Sequence, residues 1–256
     1  MIDAGGVPGA ALGTGDVTVP GWAVASVIDS CAVSVWGGVV RRWGDRWLEE
    51  APVIQDLIAA ERRELAALLD ELPSSGWEAP TLCAGWRVAE VVAHMTMPFR
   101  FSAGRFVLEL LKSGGRFNAM ADRVARREAA ELSREALVAS LRDNAGHPWR
   151  PPGGGPEGAL SHDVIHGLDI TTALELDRRV PLERLEVIFA AMKPKQVKYF
   201  GADLTGIALR ADDLDWSYGT GTPLTGAAQD LLLVLCNRRL PAGRLRGEPS
   251  ARFTTV

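Results

Sequence analysis

Residues 161–169, with the sequence SHDVIHGLD, carry the most informative pattern in the chain. His162 and His166 are four positions apart, so on a helix both imidazoles lie on one face, one turn from each other. Asp169 follows His162 by seven positions and continues the same stripe. The pattern predicts a helix over Ser161–Leu176, with Ser161 as a possible N-cap and with the histidines facing the core.

A third histidine could complete a metal site with this pair. His94 lies in residues 91–95, VVAHM, at the border of an apolar stripe on another predicted helix. Catalytic zinc is commonly held by three protein ligands, with the fourth position open to water or substrate. The sequence therefore predicts one divalent metal, zinc by preference, on His94, His162 and His166. The alternative is a set of solvated or hydrogen-bonded core histidines.

Helical periodicity surrounds these histidines. In the first predicted helix Glu61 breaks the pattern, because the helical period places this charged residue on the apolar face with the leucines. These helices predict a bundle of about four main helices with one long connection, the loop Gly146–Gly158. The predicted helices are Pro52–Pro73, Val88–Met97 with an end or kink at Pro98, Phe101–Leu111, and Ser133–Leu141 with Ser133 as N-cap.

The pattern changes after Val180, which predicts a small α/β unit. Its predicted elements are a helix at Leu182–Met192, strands at Ile207–Arg210 and Leu214–Ser217, and a helix capped by Thr225 that runs through Cys236. The Gly-rich first 48 residues lack a helical period and predict a flexible extension, with a small docked hairpin or helix as the alternative. The predicted domains are residues 1–48, 49–180 and 181–256.

Composition narrows the classes of partner and compartment. The chain has 256 residues and a formal net charge of −4, and its 28 Lys and Arg residues form no basic stripe. These features argue against a nucleic-acid partner. The sequence predicts no membrane-spanning helix. Its three cysteines form no Cys-x-x-Cys pair, which indicates the reducing environment of the cytoplasm.

Residues 72–88, LPSSGWEAPTLCAGWRV, followed by VVAHM at 91–95, closely resemble the mycothiol-dependent maleylpyruvate isomerase family. This family belongs to the wider DinB/YfiT-like metalloproteins. Residues 162–169 are similar to the family's second metal segment. Residues 213–216, DLDW, and residues 231–235, LLLVL, with Arg238 resemble its small C-terminal domain.

The resemblance implies a DinB-like four-helix bundle that binds one divalent metal, usually zinc, followed by a small α/β sterol-carrier-like domain. It implies mycothiol as a low-molecular-weight thiol cosubstrate and a small electrophilic molecule as substrate. The expected function is thus that of a metal-dependent S-transferase or isomerase. Arg238 falls where family members often carry an arginine that could hold a carboxylate, and it is the candidate catalytic residue. A solvated residue at a helix end is the alternative for Arg238.

Asp169 is predicted to accept a hydrogen bond from a ligand imidazole, with a solvated or capping carboxylate as the alternative. The isomerase itself offers a glutamate in the place of His162, so this chain departs from it with three neutral imidazoles. Cys83 lies in the loop before the second helix and is expected to pack rather than to act as a nucleophile.

Two other functions remain open from the sequence. A non-catalytic, metal-stabilised binding or stress-response module would need the same ligands. A zinc hydrolase would use the segment His162–His166, which differs from the His-Glu-x-x-His protease motif by Asp163 in place of the glutamate base. The shorter Asp163 would reach a metal-bound water less well, and no histidine follows His166.

Overall fold

The computed structural model describes residues 41–152 and 154–255, with side chains from Ile54 onward. The described residues from Trp43 onward form one compact unit. The predicted flexible extension lies outside the described residues over positions 1–40. Residues 41–48, which were assigned to the same extension, form the first two turns of helix α1 (Arg41–Asp70).

The described chain is mainly helical, and a small sheet lies near its C-terminal end, as the sequence predicted. After α1 the helices are α2 (Ser74–Trp77), α3 (Val88–Arg100), α4 (Ala103–Lys112), α5 (Phe117–Glu131), α6 (Arg134–Asp143), α7 (Pro156–Ala173), α8 (Leu182–Ala191) and α9 (Pro194–Phe200). None of the described helices is long and apolar enough to cross a membrane.

The local signals for helix ends were partly right. Ser133 caps α6 as predicted, because its hydroxyl accepts a hydrogen bond from the amide of Ala136 at 3.2 Å. Pro98 does not end α3, which continues to Arg100. Helix α5 was not predicted from the sequence, because its buried face includes the small residues Ala121 and Ala125, which give a weak periodic signal.

Helix α7 begins earlier than predicted. Pro156 occupies its first turn after Gly155, so Ser161 lies inside the helix and is not its N-cap. Proline suits this position because its ring fixes φ near the helical value and its missing N–H would have had no partner there. The predicted loop Gly146–Gly158 is therefore shorter at its C-terminal end.

Two apolar cores meet along α7. Val164 and Leu168 point into one core, which also receives residues from α1, α8, the sheet and the last helix. Ile170 points into the other, together with residues from α1, α3, α5 and α6. Because α7 is buried on opposite sides, its sequence shows little of the polar face expected of a surface helix. The first core contains residues of both predicted domains, and a boundary at 180/181 stays a prediction.

The C-terminal sheet has the strand order β2-β1-β3-β4. Strands β1 and β3 are parallel, while β2 and β4 pair antiparallel to β1 and β3 respectively. Helix α10 (Ala228–Leu235) packs against this sheet. The strands are β1 (Ile207–Ala211), β2 (Ser217–Gly219), β3 (Thr222–Gly226) and β4 (Leu245–Arg246), and a 3-10 helix (Glu248–Phe253) follows.

The first predicted strand is confirmed as β1, but two details of this unit were wrong. Residues 214–216 belong to the bend between β1 and β2, and the second strand starts only at Ser217. Thr225 is not a cap, because it lies within β3. The first amide of α10, that of Ala228, instead donates to Asp213 Oδ1 at 2.7 Å. A carboxylate from a separate loop thus does the work of a cap, and no local sequence rule predicts that.

Candidate metal centre

The structure brings the three predicted histidines together. His94 projects from α3, and His162 and His166 project from successive turns of α7. The candidate ligand atoms of the three side chains all lie within 4.8 Å of one another. The Nε2 atoms of His94 and His162 are 3.3 Å apart. Two nitrogens bound to one tetrahedral zinc ion at about 2.1 Å would be about 3.4 Å apart, so this pair has the spacing of zinc ligands.

The histidine cluster is largely buried but keeps some contact with solvent. His94 is buried. The side chains of His162 and His166 keep 15% and 14% of their surface exposed. Trp86 lies beside His94, and Trp149 lies edge-on to His162, each with ring centroids 5.1 Å apart. A small molecule could therefore reach the cluster at the exposed parts of His162 and His166.

Burial keeps two of the imidazoles uncharged. It lowers the pKa of His94 well below its usual value, and the neighbouring His166 and His162 lower it further. Burial also lowers the pKa of His166, although the hydrogen bond that its ring donates to Asp169 opposes this shift. A neutral imidazole has a free lone pair on one ring nitrogen, which is the form that binds metals.

Two aspartates orient the imidazoles of α7. Asp163 Oδ1 lies 2.9 Å from Nδ1 of His162, and Asp169 Oδ2 lies 3.1 Å from Nδ1 of His166. A carboxylate at Nδ1 favours the tautomer with its proton there, which leaves Nε2 free for a metal. Asp169 thus has the contact predicted for it, whereas Asp163 was noted only as the residue in place of a protease glutamate.

Arg238 reaches the site from the end of α10. Its Nε and Nη2 donate to Asp169 Oδ1 and Oδ2 at 2.7 and 2.9 Å. The carboxylate that Arg238 holds here is that of Asp169. Burial alone would raise the pKa of Asp169, but the hydrogen bonds from His166 and Arg238 outweigh it and lower that pKa. The position is therefore not a solvated helix end, and a catalytic role for Arg238 stays a prediction.

Arg62 is a site residue that the sequence analysis missed. It is fully buried on α1, and its Nε donates to Asp163 Oδ2 at 2.6 Å. Its Nη1 donates to the carbonyl oxygens of residues 144, 145 and 147, at 3.3, 3.2 and 2.8 Å. One signal was available, because Arg62 follows Ile58 by four positions and precedes Leu65 by three. An arginine on the buried stripe of a helix needs a partner inside the protein.

Cys83 lies next to the histidine cluster, and its sulfur is within 4.8 Å of the candidate ligand atoms of His166 and Asp169. Burial raises the pKa of the Cys83 thiol to about 11, and the charge of Asp169 raises it as well. The thiol is thus protonated at neutral pH. This agrees with the expectation that Cys83 packs and does not act as a nucleophile.

Comparisons with known proteins agree with the resemblance seen in the sequence. Residues 58–148 match the family model of the mycothiol maleylpyruvate isomerase N-terminal domain. This segment contains His94 but not the α7 histidines or Arg238. A search of curated proteins gave no match.

Two solved structures have a similar fold. A crystal structure of the mycothiol-dependent maleylpyruvate isomerase superposes with a TM-score of 0.51 at 13% identity, over 79% of this chain and 93% of that one. A mutant of that isomerase gives a TM-score of 0.49 at 14% identity with the same coverage. The resemblance to the mycothiol-dependent maleylpyruvate isomerase family is thus confirmed over residues 58–148, and the likeness in fold to the first structure extends over most of the chain.

Proposed function

We propose that this chain is a metal-dependent transferase or isomerase that uses mycothiol and acts on a small electrophilic molecule. The observation that carries the proposal is the spacing of His94 and His162, whose Nε2 atoms lie 3.3 Å apart. An all-imidazole set fits zinc among the common divalent metals, although copper, iron and nickel also accept such ligands. The similarity to the isomerase family supports mycothiol as the thiol.

A divalent cation at this site would favour the thiolate form of mycothiol, which is the nucleophilic form of a thiol. The chain's own residues would do the rest. His94, His162 and His166 would hold the ion. Asp163 and Asp169 keep the α7 imidazoles turned so that Nε2 is free. Since all three ligands are neutral, they leave the double charge of the ion undiminished.

Arg238, which binds Asp169, could contribute to the same function by holding the substrate. Its side chain is 19% exposed, and its Nη1 also donates to the carbonyl oxygen of Cys236 at 3.3 Å. A guanidinium has five N–H groups, so two remain beyond these three contacts. Those groups could orient an acidic substrate near the histidines. Because the proposed reaction needs a reduced thiol, we place the protein in the cytoplasm.

The hydrolase alternative has little support in the geometry. It requires Asp163 to act as a base on the side of His162 that faces the ion. Asp163 instead lies against Nδ1 of His162, and its other oxygen binds Arg62 at 2.6 Å. The carboxylate is thus on the opposite side of the ring from Nε2.

Calorimetry with mycothiol tests the proposal. Zinc-loaded protein titrated in buffers of different ionisation enthalpy should release close to one proton per thiol bound near neutral pH, because a free thiol has a pKa of about 8.5. Metal-free protein should release none. Mycothiol methylated at sulfur is the matched control, since it has no thiol proton to lose.

Three results would contradict the proposal. Equal binding of mycothiol to the metal-free protein, or binding without proton release, would exclude a metal–thiolate step. Zinc binding with no effect of mycothiol would favour the non-catalytic module. Cleavage of peptides by the zinc-loaded protein would favour the hydrolase.

A further inference from the structure

Each of the two α7 histidines is the end of a chain of three side chains. In the Arg62 chain, Arg62 binds Asp163 and Asp163 binds His162. In the Arg238 chain, Arg238 binds Asp169 and Asp169 binds His166. His94 has no such support, because its buried Nδ1 has no hydrogen-bond partner among the described residues. The two chains therefore provide the hydrogen-bonded orientation of the cluster.

The two chains differ in how firmly they are held. Arg238 is partly exposed and follows α10. The side chain of Arg62 is 0% exposed, and three backbone carbonyls bind its Nη1. Those carbonyls belong to the end of α6 and the residues after it, so Arg62 joins α1, this connection and α7 at one point.

The geometry assigns Arg62 a role as a positioning residue: through Asp163 it fixes the ring orientation and tautomer of His162 for metal binding. This inference rests on the proposed metal site. Arg62 occupies Oδ2 of Asp163 and thereby turns Oδ1 toward His162. A carboxylate is needed between them, because only it accepts hydrogen bonds at both oxygens. An asparagine would present one acceptor and one donor, so one of the two contacts would become donor against donor.

Zinc affinity measured by competition with a chelator tests this role on the full chain at one fixed pH. Arg62→Met removes the guanidinium and keeps an unbranched apolar stem. Asp163→Asn keeps the shape and removes one acceptor. Each variant should bind zinc about 10–100-fold more weakly, as observed when residues that support metal-ligating histidines are lost. Circular dichroism checks that each variant is folded, and Asp163→Asn serves if Arg62→Met does not fold.

Arg184→Met is the matched control. Arg184 is also a buried arginine that binds carboxylates of α1, but its partners are Glu61 and Glu64. This variant should lose stability and keep the wild-type zinc affinity. A role of Arg62 in general stability alone would make the two arginine variants behave alike.

The double variant Arg62→Met/Asp163→Asn adds a second criterion. If both residues act through His162, the zinc affinity of the double variant should be no lower than that of whichever single variant binds zinc less tightly. Wild-type affinity in Asp163→Asn, losses that multiply in the double variant, or an equal loss in Arg184→Met would overturn the inference alone. Failure of the wild-type chain to bind zinc would overturn both this inference and the proposed function.

Discussion

Two groups of polar side chains, one centred on a buried carboxylate and one made of imidazoles, differ in the partners that their members face. The first is the network of Glu61, Arg178 and Arg184, in which Glu61 binds both arginines at 2.5 and 2.7 Å. The second is the cluster of His94, His162 and His166. In the network each carboxylate oxygen faces a cation. In the histidine cluster, imidazole nitrogens face one another, and the Nε2 atoms of His94 and His162 are 3.3 Å apart.

The difference separates a structural role from a binding role. Glu61 has a cation at each of its two oxygens and needs no further cation, and its removal leaves buried positive charge without compensation. The facing Nε2 atoms of His94 and His162 can share at most one proton, whereas a cation bound between them would accept a lone pair from each ring. A cation among the three histidines would complete that cluster. A cation at the network would instead be repelled by Arg178 and Arg184.

The largest effect on stability should come from the network. Glu61→Ala leaves Arg178 and Arg184 without their buried partner and should cost about 3–5 kcal/mol in the free energy of unfolding. Glu64→Ala is the matched control, because Glu64 binds the same Arg184 but its side chain is 51% exposed. Its loss should cost about 0–1 kcal/mol.

Urea unfolding of both variants measures these costs, and zinc affinity should stay at the wild-type level in each. Equal losses of stability in the two variants would show that the buried Glu61 stabilises the fold no more than the half-exposed Glu64. A fall in zinc affinity for Glu61→Ala would show that the network and the histidine cluster are coupled.

A smaller effect should appear on acidification of the metal-free protein. The pKa values of His94 and His166 are lowered in the folded state, so the unfolded chain binds more protons once the pH falls below about 6.5. Stability should therefore be unaffected by these histidines above that pH and should decrease as the pH falls from about 6.5 toward 5. The lowered pKa of Asp169 acts in a separate window, because its stabilising effect is lost only as the pH falls below about 4.

Urea midpoints at several pH values measure this effect, with His94→Gln as the control. The control should show a flatter decrease between about pH 6.5 and 5, because it lacks an imidazole whose pKa burial lowers well below its usual value. A wild-type protein that gains stability over the same range would contradict neutral, buried imidazoles.

Local spacing predicted the parts of the molecule that depend on neighbours in the sequence. The i, i+4 pair of His162 and His166 placed two imidazoles on one helix face, and the predicted short strand at Ile207–Arg210 is confirmed as β1. The odd position of Glu61 among leucines was also informative. Its partners Arg178 and Arg184 are more than 100 residues away along the chain, so only the fold could identify them.

Contacts of long sequence separation account for most of what was missed. Arg62 and Asp163 are 101 residues apart, and the sequence around either residue does not identify the other as its partner. Arg238 was placed by resemblance, but its bond to Asp169 required the packing of α10 against α7. Helix α5 was missed for a different reason, since small alanines on its buried face weaken the periodic signal.

The metal content of the full chain tests the central claim most directly. Protein reconstituted with zinc and freed of excess ion by gel filtration should retain one zinc ion per chain. His166→Ala should lose most of that zinc, while Glu64→Ala should keep it. A wild-type chain without bound zinc, or full zinc content in His166→Ala, would contradict the assignment of His94, His162 and His166 as one metal site.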